Sequence, residues 1–558
     1  MSVLSSVFFS IGGFVSALIP FIVLLGVLIF IHELGHFMVA RWCGVKVEVF
    51  SLGFGKKLLK WKRKDTLYCV SLFPLGGYVK MFGHEYGKEV AEKDRPIAFL
   101  HKKLWQRVAI VLAGPLMNFF LAVLIFAGLN IFVGEKRAFP VIGELAPSSV
   151  AAQSGLAYGD LILSIDDVPV KNIREVREII FEKPDTLLDI KVQNLSQQVQ
   201  TKKVLSQTGP ATGKWGFLEK GGVIEGLTFF AAAAVLGVSD PNSPAGQAGL
   251  KTFDKVISVD GKKINTRKEL FHILNSTPSS VSSWTLEIQR EKDLKTIVLS
   301  RPQNDPEGEE AHHLGLIRSD LFIADLKTNG VAEKAGIKQG DFIFKLNGER
   351  LPSWSFLVEK IKNFKEQDGA LEMEIKRQGQ VKSFSLVPEI RKQMINGVEK
   401  KSYMLGIIAQ SPLIPVGETY VEKSKNPVKA LTFGVGKGLH WCAFLFVYIK
   451  KLVAGDISTK TLGGAITIGR AAYDSYSYGL EYFFRLMAIL SVQLFLFNIL
   501  PIPVFDGGHL LFYVIEFFNG APLSIKKMII AQQMGVLAVL FLLLFTTFND
   551  LHNWLFTW

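Results

Sequence analysis

The sequence contains few cysteines, and their positions exclude a disulfide framework. Its 558 residues include only Cys43, Cys69 and Cys442, which are too few and too scattered to cross-link a small secreted domain. None of them lies in the polar middle of the chain, between about residues 134 and 425. This middle part must therefore be stabilised by packed apolar cores.

The first apolar run lacks the features of a cleaved secretory signal. No Lys or Arg precedes it, and no small-residue cleavage site follows it. The run extends from about Val15 to Ile31, which is long enough to cross a bilayer as a helix. Three later runs have the same character, at about residues 108–133, 482–500 and 528–548. We therefore expect about four membrane-spanning helices.

A basic stripe with interleaved aromatic residues is also absent, so the formal charge of +13 does not indicate a nucleic-acid partner. Most of this charge lies between Arg41 and Arg107, which include 15 Lys or Arg and 6 Asp or Glu. Basic loops next to membrane spans stay in the cytoplasm. We therefore expect this loop to be cytoplasmic and the polar middle to be outside.

A short motif at the end of the first apolar run carries the main chemical signal. In His32-Glu33-Leu34-Gly35-His36 the two imidazoles are four residues apart, which places them on one face of a helix, where both can reach one zinc ion. Glu33 can take a proton from a water molecule that zinc activates. The alternative is a helix end at the interface whose polar residues are merely solvated.

A catalytic zinc site needs a third protein ligand. The best candidate is Asp506 in Asn498-Ile-Leu-Pro501-Ile-Pro503-Val-Phe-Asp506-Gly-Gly-His. The preceding span enters from outside, so Asp506 is expected at the depth of His32 and His36. The two prolines open the helix there. The alternative is an ordinary Asp-Gly-Gly turn.

This depth argument requires that the stretch from Pro427 to Ala454 does not cross the membrane. The stretch is apolar but contains Lys429, Lys437, His440, Lys450 and Lys451. We therefore predict an interfacial amphipathic helix there.

One pattern occurs three times in the polar middle. Each copy has the sequence Ala-x-x-(Ser/Ala)-Gly, which starts at Ala151, Ala245 and Ala332. An aspartate follows in each copy, at Asp160, Asp254 and Asp341, and then an alternating strand and a turn. The spacings are 94 and 87 residues, which are whole-domain lengths. The pattern resembles PDZ domains of bacterial proteases. Such domains either bind a peptide as an added strand or act only as spacers.

Over nearly its whole length the chain resembles the site-2 proteases of the bacterial regulator-of-sigma-E protease type. Phe50-Ser-Leu-Gly53-Phe54-Gly55-Lys56 resembles their membrane-associated Gly-x-Gly loop, and Phe73 to Met81 resembles their cytoplasmic-side β-hairpin. The chain departs from them in having Phe505 before the aspartate, where Leu is frequent, and three PDZ-like repeats where two are common.

The resemblance implies that His32, His36 and Asp506 bind one Zn²⁺ ion and that Glu33 is the general base. Residues expected to contact substrate are Asn498, Pro501, Pro503, Gly53, Phe54, Gly55, Gly76, Gly77 and Tyr78. The glycine loop and the edge of the segment from Tyr68 to Met81 could hold an unwound substrate strand. A structural sheet is the alternative for this segment, and a helix-to-helix hydrogen bond is the alternative for Asn498.

The expected fold class is a multi-pass α-helical membrane protein with a small cytoplasmic-side β element and tandem extracytoplasmic PDZ domains of the α+β type. The expected membrane parts are a first span with the zinc motif at 1–41, a loop at 42–103, a second span at 104–133, a third span with the Asp506 motif at 479–519 and a fourth at 520–558. The PDZ-like domains are expected at 134–222, 223–305 and 306–392, followed by a linker and the interfacial helix at 393–478.

The sequence predicts an intramembrane zinc endopeptidase of a bacterial inner membrane, whose active site lies near the cytoplasmic side. Its expected partners are membrane lipid and single-span membrane proteins, such as an anti-sigma factor or remnant signal peptides, without nucleic acid or a soluble small-molecule cofactor. One alternative is a non-catalytic PDZ scaffold with a structural metal site, although such a site does not require Glu33. A proton-relay transporter is a weaker alternative because the spans show no internal repeat.

Overall fold

The computed structural model describes residues 11–556 except for gaps at 86–88, 147, 239, 278–279, 292, 303–313, 352, 366, 368, 378, 396–397 and 410–411. The chain forms two compact units. The first combines the residues up to Glu135 with Val421–Trp558, and the second is Lys136–Tyr420.

The first unit begins with two long apolar helices, and the chain between them forms a bent antiparallel sheet. Its elements are α1 (Ile11–Trp42), β1 (Val47–Arg63), β2 (Thr66–Met81) and α2 (Leu104–Phe132), with short 3-10 helices at Glu92–Ile97 and Phe99–His101 between β2 and α2. Helix α1 ends just before Gly44, whose φ of 69° reverses the chain. The two helices pack against each other and bury the face that carries the zinc motif.

Strands β1 and β2 pair antiparallel, but each bends, so the hairpin contains four short segments. Residues 47–52 pair with 77–81, and residues 49–52 also pair with 67–70, whereas 57–63 pair only with 66–71. The bend in β1 is at Gly53 and Gly55, which both have φ of 86°. Residues 77–81 consequently form one edge of the sheet. The predicted small β element is present.

The second unit contains three sheets of four or five strands, built from successive parts of the chain, and several two-stranded sheets. Its elements are β3 (Glu135–Ala138, at the unit boundary), α3 (Val150–Gln153), β4 (Leu161–Ile165), β5 (Val168–Pro169), α4 (Ile173–Phe181), β6 (Thr186–Gln193), β7 (Val199–Thr212), β8 (Leu218–Val223), β9 (Phe230–Ala232), β10 (Leu236–Val238), α5 (Pro244–Gln247), β11 (Lys255–Val259), β12 (Lys262–Lys263), α6 (Arg267–Ser276), β13 (Ser283–Arg290), β14 (Asp293–Ser300), β15 (Leu316–Arg318), β16 (Ile323–Leu326), α7 (Val331–Lys334), β17 (Phe342–Leu346), β18 (Glu349–Arg350), α8 (Trp354–Lys362), β19 (Leu371–Arg377), β20 (Gln380–Leu386), β21 (Glu389–Ile395), β22 (Val398–Met404), β23 (Ile407–Ala409), β24 (Leu413–Pro415) and β25 (Thr419–Glu422, at the other boundary).

Each sequence repeat forms the same arrangement of a short helix, a β-hairpin, a longer helix and a pair of antiparallel strands. The sheet orders are β5-β4-β6-β7-β8, β12-β11-β13-β14 and β18-β17-β19-β20. The repeated aspartates are buried, and each accepts a hydrogen bond from the backbone N–H three residues earlier, at Ala157, Lys251 and Lys338. The pattern is therefore explained by a shared turn that an aspartate stabilises.

The domain boundaries predicted from the repeats stay predictions. The boundary between 305 and 306 lies outside the described residues. The segment after residue 392, predicted as a linker, contains β22 to β25, and β24 returns to pair with β9. At the two ends of the second unit the backbone N–H of Phe139 donates to the carbonyl of Glu418 over 3.1 Å.

The first unit is completed by five helices. These are α9 (Pro427–Val453), α10 (Ala465–Tyr478), α11 (Leu480–Ile499), α12 (Asp506–Asn519) and α13 (Ile525–Phe556), with a 3-10 helix at Thr459–Thr461. Among the described residues, 5 helices are long and apolar enough to cross a membrane: Leu18–Trp42, Leu104–Phe132, Pro427–Val453, Leu480–Ile499 and Ile525–His552. The sequence predicts four membrane spans, one fewer than the candidates in the structure.

The additional candidate is α9, for which the lysines predict an interfacial helix, and this placement stays a prediction. Packing shows how α9 accommodates its charge. A Cβ atom at Gly434 would lie 2.4 Å from the carbonyl oxygen of Val123, so the glycine lets α9 contact the backbone of α2. One of its lysines, Lys437, forms an ion pair with Glu135. This ion pair makes the charge of Lys437 less unfavourable in an apolar helix than composition suggests. The sequence shows the charge but not the partner.

Candidate metal centre

Helix α1 places two imidazole rings next to each other, as the spacing of His32 and His36 predicts. Their Nε2 atoms are 3.2 Å apart, and the ring planes are nearly perpendicular, at 85°. Residues four apart on a helix lie one above the other on the same face. Both rings are mostly shielded from solvent, with side-chain exposures of 14% and 11%.

A carboxylate from the other end of the chain joins these rings. Asp506 is the first residue of α12, and its Oδ2 lies 3.2 Å from Nε2 of His32 and 3.4 Å from Nε2 of His36. Ligand atoms of the three residues all lie within 4.8 Å of one another. Two imidazole nitrogens and one carboxylate oxygen, with a position left for water, are a donor set that zinc accepts in catalytic sites. The residues present therefore fit a zinc ion, and their role as its ligands stays a prediction.

A tight turn between α11 and α12 brings Asp506 to this position. The turn contains Pro501 and Pro503, which cannot donate backbone hydrogen bonds and end the regular helix. A Cβ atom at Gly507 would lie 2.2 Å from the carbonyl oxygen of Leu500, and one at Gly508 would lie 2.3 Å from Cα of Pro503. The two glycines after Asp506 are therefore required for the turn to close.

Helix α2 packs against the histidines of α1. The carbonyl oxygen of Ile110 accepts a hydrogen bond from Nδ1 of His36 over 2.8 Å. In the neutral ring, a proton on Nδ1 leaves the lone pair on Nε2, which is the nitrogen that faces Asp506. Close approach of the helices requires Gly114, since a Cβ atom there would lie 2.2 Å from Nε2 of His36.

Comparison with known proteins shows the family to which this arrangement belongs. The sequence profile of peptidase family M50 matches residues 20–542, which is most of the chain. The chain belongs to peptidase family M50. The predicted relationship to the site-2 proteases, and the predicted activity of a metalloprotease, are confirmed by this membership.

Similar M50 proteins cover nearly the whole chain. The regulator of sigma-E protease RseP of Escherichia coli strain K12 is 30% identical over 545 residues, which cover 96% of this chain and 99% of the relative. The regulator of sigma E protease of Salmonella typhi is 30% identical, with 96% and 98% covered. A putative zinc metalloprotease of Neisseria meningitidis serogroup A is also 30% identical, again with 96% and 98% covered.

The general base predicted for this M50 peptidase, Glu33, lines the same cavity as His36 and Asp506. The cavity is lined by Glu33, His36, Val79, His84, Asp506 and His509, among others. Across it, the sheet edge contacts the carboxylate side chain: a Cβ atom at Gly77 would lie 2.9 Å from Cγ of Glu33. The structure thus brings Glu33 and the sheet together, and the role of Glu33 as base stays a prediction.

Most of the predicted substrate-binding residues of the M50 chain lie together at the bends of the sheet. The rings of Phe54 and Tyr78 stack with an interplanar angle of 9° and a centroid separation of 6.1 Å. A Cβ atom at Gly76 would overlap the ring of Phe54. Phe54, which lies between Gly53 and Gly55, therefore contacts Gly76 and Tyr78, and Gly77 lies next to Glu33.

Asn498, Pro501 and Pro503 are placed differently. Asn498 lies in the last turn of α11, and the two prolines lie in the turn that leads to Asp506. Within the part of the chain that the structure describes, none of the three lines the cavity around Glu33. Their predicted contact with substrate stays a prediction.

Polar residues of α2 and α12 that support the M50 site were not predicted from the sequence. Asn118 is fully buried with its amide next to His32, and Arg107 forms a buried ion pair with Glu516. His509, one turn after Asp506, lines the cavity. Asn118 carried a detectable signal, because a polar residue within an apolar span is functional by default.

Proposed function

We propose that this chain is an intramembrane zinc endopeptidase that cleaves the membrane-spanning segments of single-span membrane proteins. The observation that carries the proposal is the convergence of His32, His36 and Asp506 on apolar helices, with Glu33 lining the same cavity as His36 and Asp506. Membership of a peptidase family argues against the alternative of a non-catalytic scaffold.

The residues of the site divide the chemical task. A bound zinc ion would supply a Lewis acid that polarises the scissile carbonyl and lowers the pKa of water. Glu33 accepts the proton of the attacking water and returns it to the leaving amine. His36 keeps its Nε2 lone pair directed into the site because Nδ1 donates to the carbonyl of Ile110.

A substrate helix must also be unwound, because its amides are hydrogen-bonded within the helix. The edge segment 77–81 has the geometry to hold an extended peptide, since one of its edges has no strand partner among the described residues. Adding the substrate as a further strand there would replace the lost hydrogen bonds. Val79 and Met81 line the cavity, so a strand on this edge would lie beside Glu33.

We infer that the protein lies in a bacterial inner membrane, with the basic loop and the site near the cytoplasmic side and three PDZ-like domains outside. The basic charge between Arg41 and Arg107 supports this orientation. The outer domains would exclude substrates whose own outer domains are intact. Deletion of residues 140–417 is expected to permit cleavage of such substrates, and unchanged selectivity would contradict the filter.

Several relatives carry the name "regulator of sigma-E protease". By similarity to them we propose that an anti-sigma factor is among the substrates of this chain. Remnant signal peptides have the same single-span chemistry and form a second substrate class. Capture of membrane proteins on an inactive Glu33 variant, followed by mass spectrometry, distinguishes the two.

The catalytic proposal is tested with Glu33→Gln in the full-length protein. The variant is expected to bind zinc as the unmodified protein does and to lose cleavage of a single-span reporter helix. Glu92→Gln is the matched control, because the Glu92 side chain is 92% exposed in the loop between β2 and α2. Cleavage by Glu33→Gln at the control rate would overturn the proposal.

A further inference from the structure

A buried asparagine next to the metal-site histidines has an unpaired amide oxygen. Asn118 is 0% exposed on α2, and its Nδ2 lies 3.4 Å from Nδ1 of His32. Its Oδ1 is buried without a hydrogen-bond partner among the described residues. The hydroxyl of Ser491 on α11 donates to the backbone carbonyl of Asn118 over 2.7 Å, which fixes this turn of α2. The side chain is thus held against His32 from a defined position.

The chemistry of His32 assigns the orientation of that amide. Nε2 of His32 faces Asp506 and His36, so it must present a lone pair when a cation is bound. Nδ1 then carries the proton and requires an acceptor. The two ends of an asparagine amide have nearly the same shape, so a 180° rotation places Oδ1 opposite Nδ1. After this rotation the buried Oδ1 accepts a hydrogen bond from the imidazole N–H, so both groups have a partner.

The neighbouring histidine shows the same arrangement with a different acceptor. Nδ1 of His36 donates to the carbonyl oxygen of Ile110, and this carbonyl belongs to the same helix as Asn118. One face of α2 therefore supplies an acceptor to each histidine. The acceptor for His36 is a backbone atom that no substitution removes, whereas the acceptor for His32 depends on the side chain at position 118.

We propose that Asn118 is a positioning residue of the metal centre, whose amide oxygen accepts the Nδ1 proton of His32 and holds the Nε2 lone pair towards the metal. The inference rests on the proposed zinc site and adds a residue to which no metal role has been assigned. Loss of a hydrogen-bond partner of this kind weakens metal affinity by about 10 to 100-fold.

The test measures zinc affinity by competition with a chelator of known affinity, using the full-length protein in detergent. Asn118→Leu removes the acceptor and keeps the branched shape at Cγ, and about 10 to 100-fold weaker zinc binding is expected. Asn118→Asp restores an oxygen acceptor, and affinity within a few fold of the unmodified protein is expected. The matched control is Asn130→Leu, which removes another buried asparagine from α2.

Thermal unfolding with and without zinc separates positioning from folding, because a ligand raises the melting temperature according to its affinity. The zinc-dependent shift is expected to shrink in Asn118→Leu and to be kept in Asn130→Leu. Unmodified affinity of Asn118→Leu, or equal loss in the Leu and Asp variants, would overturn the inference. Absence of zinc binding by the unmodified protein would instead overturn the proposed function.

Discussion

Arg107 and Glu516 form a bidentate ion pair that joins α2 to α12 inside the first unit. Nη1 of Arg107 donates to Oε2 of Glu516 over 3.1 Å, and the second guanidinium nitrogen, Nη2, donates to Oε1. The two side chains are only 10% and 16% exposed, and the guanidinium lies 5.0 Å from the ring centroid of Tyr513. Because α12 begins at Asp506, this pair fixes the helix that carries the proposed third ligand.

Breaking the pair from one side is expected to destabilise the protein strongly. Arg107→Ala leaves the Glu516 carboxylate buried without this partner, and such a change costs about 3 to 5 kcal/mol. The measurement is thermal or denaturant unfolding in detergent. The control is Arg174→Ala, which removes a pair with side-chain exposures of 48% and 40% and is expected to cost less than about 1 kcal/mol. Similar losses in both variants would contradict the assignment of a structural role to Arg107.

Gly114 is expected to tolerate no side chain, whereas Gly128 on the same helix tolerates one. A methyl group at position 114 would lie 2.2 Å from Nε2 of His36, but at position 128 it would meet nothing within 4 Å. Gly114→Ala is therefore expected to displace the imidazole and to abolish most zinc binding and cleavage. Gly128→Ala should keep both. Zinc content and reporter cleavage are measured for each variant, and an active Gly114→Ala protein would contradict the observed helix packing.

Removal of the metal is expected to abolish activity reversibly. Dialysis against a strong chelator should reduce reporter cleavage to background, and stoichiometric Zn²⁺ should restore it. Asp506→Asn should need a higher zinc concentration for the same activity, because a neutral amide oxygen is a poorer zinc ligand than a carboxylate. Cleavage that persists after verified zinc loss would show that the three residues hold no catalytic metal.

An acidic residue of the second unit should make its stability depend on pH. Burial of Asp320 opposes its ionisation, but hydrogen bonds from Arg318 and Trp354 and the positive charges of Arg318 and Arg267 dominate, so the pKa of Asp320 is lowered. An aspartate with a lowered pKa stabilises the fold above its ordinary pKa, about 3.9, and loses this contribution as the pH falls through the folded-state value.

The corresponding variant is Asp320→Asn. It should be less stable than the unmodified protein near neutral pH, and the difference should shrink as the pH decreases below about 4. Denaturant unfolding at a series of pH values measures the difference. A gap that stays constant down to pH 2.5 would mean that the charge of Asp320 contributes nothing to folding.

The sequence predicts those parts of the site that depend on local spacing. The four-residue interval between His32 and His36 fixes their relation on any helix, and Asp506 follows a proline-rich turn that can be recognised without coordinates. The repeated aspartates likewise mark a turn that depends on a few neighbouring residues. In each case the determining interactions lie within one turn or hairpin.

The missed features depend on partners far away in the chain. Arg107 and Glu516 are 409 residues apart, and Asn118 and His32 are 86 apart. Their pairing follows from how the helices pack, which no local pattern shows. The ion pair of Lys437 in the helix Pro427–Val453 was missed for the same reason, because its partner lies at Glu135.

The contact between Phe139 and Glu418 has a consequence for how such chains can change. The chain between these two residues therefore begins and ends at the same place, where the ring centroids of Phe139 and Tyr420 are also 4.7 Å apart. A repeat gained or lost between Phe139 and Glu418 leaves the distance between these two residues unaltered. Copy number can therefore vary without changing the spacing at which the chain enters and leaves the second unit.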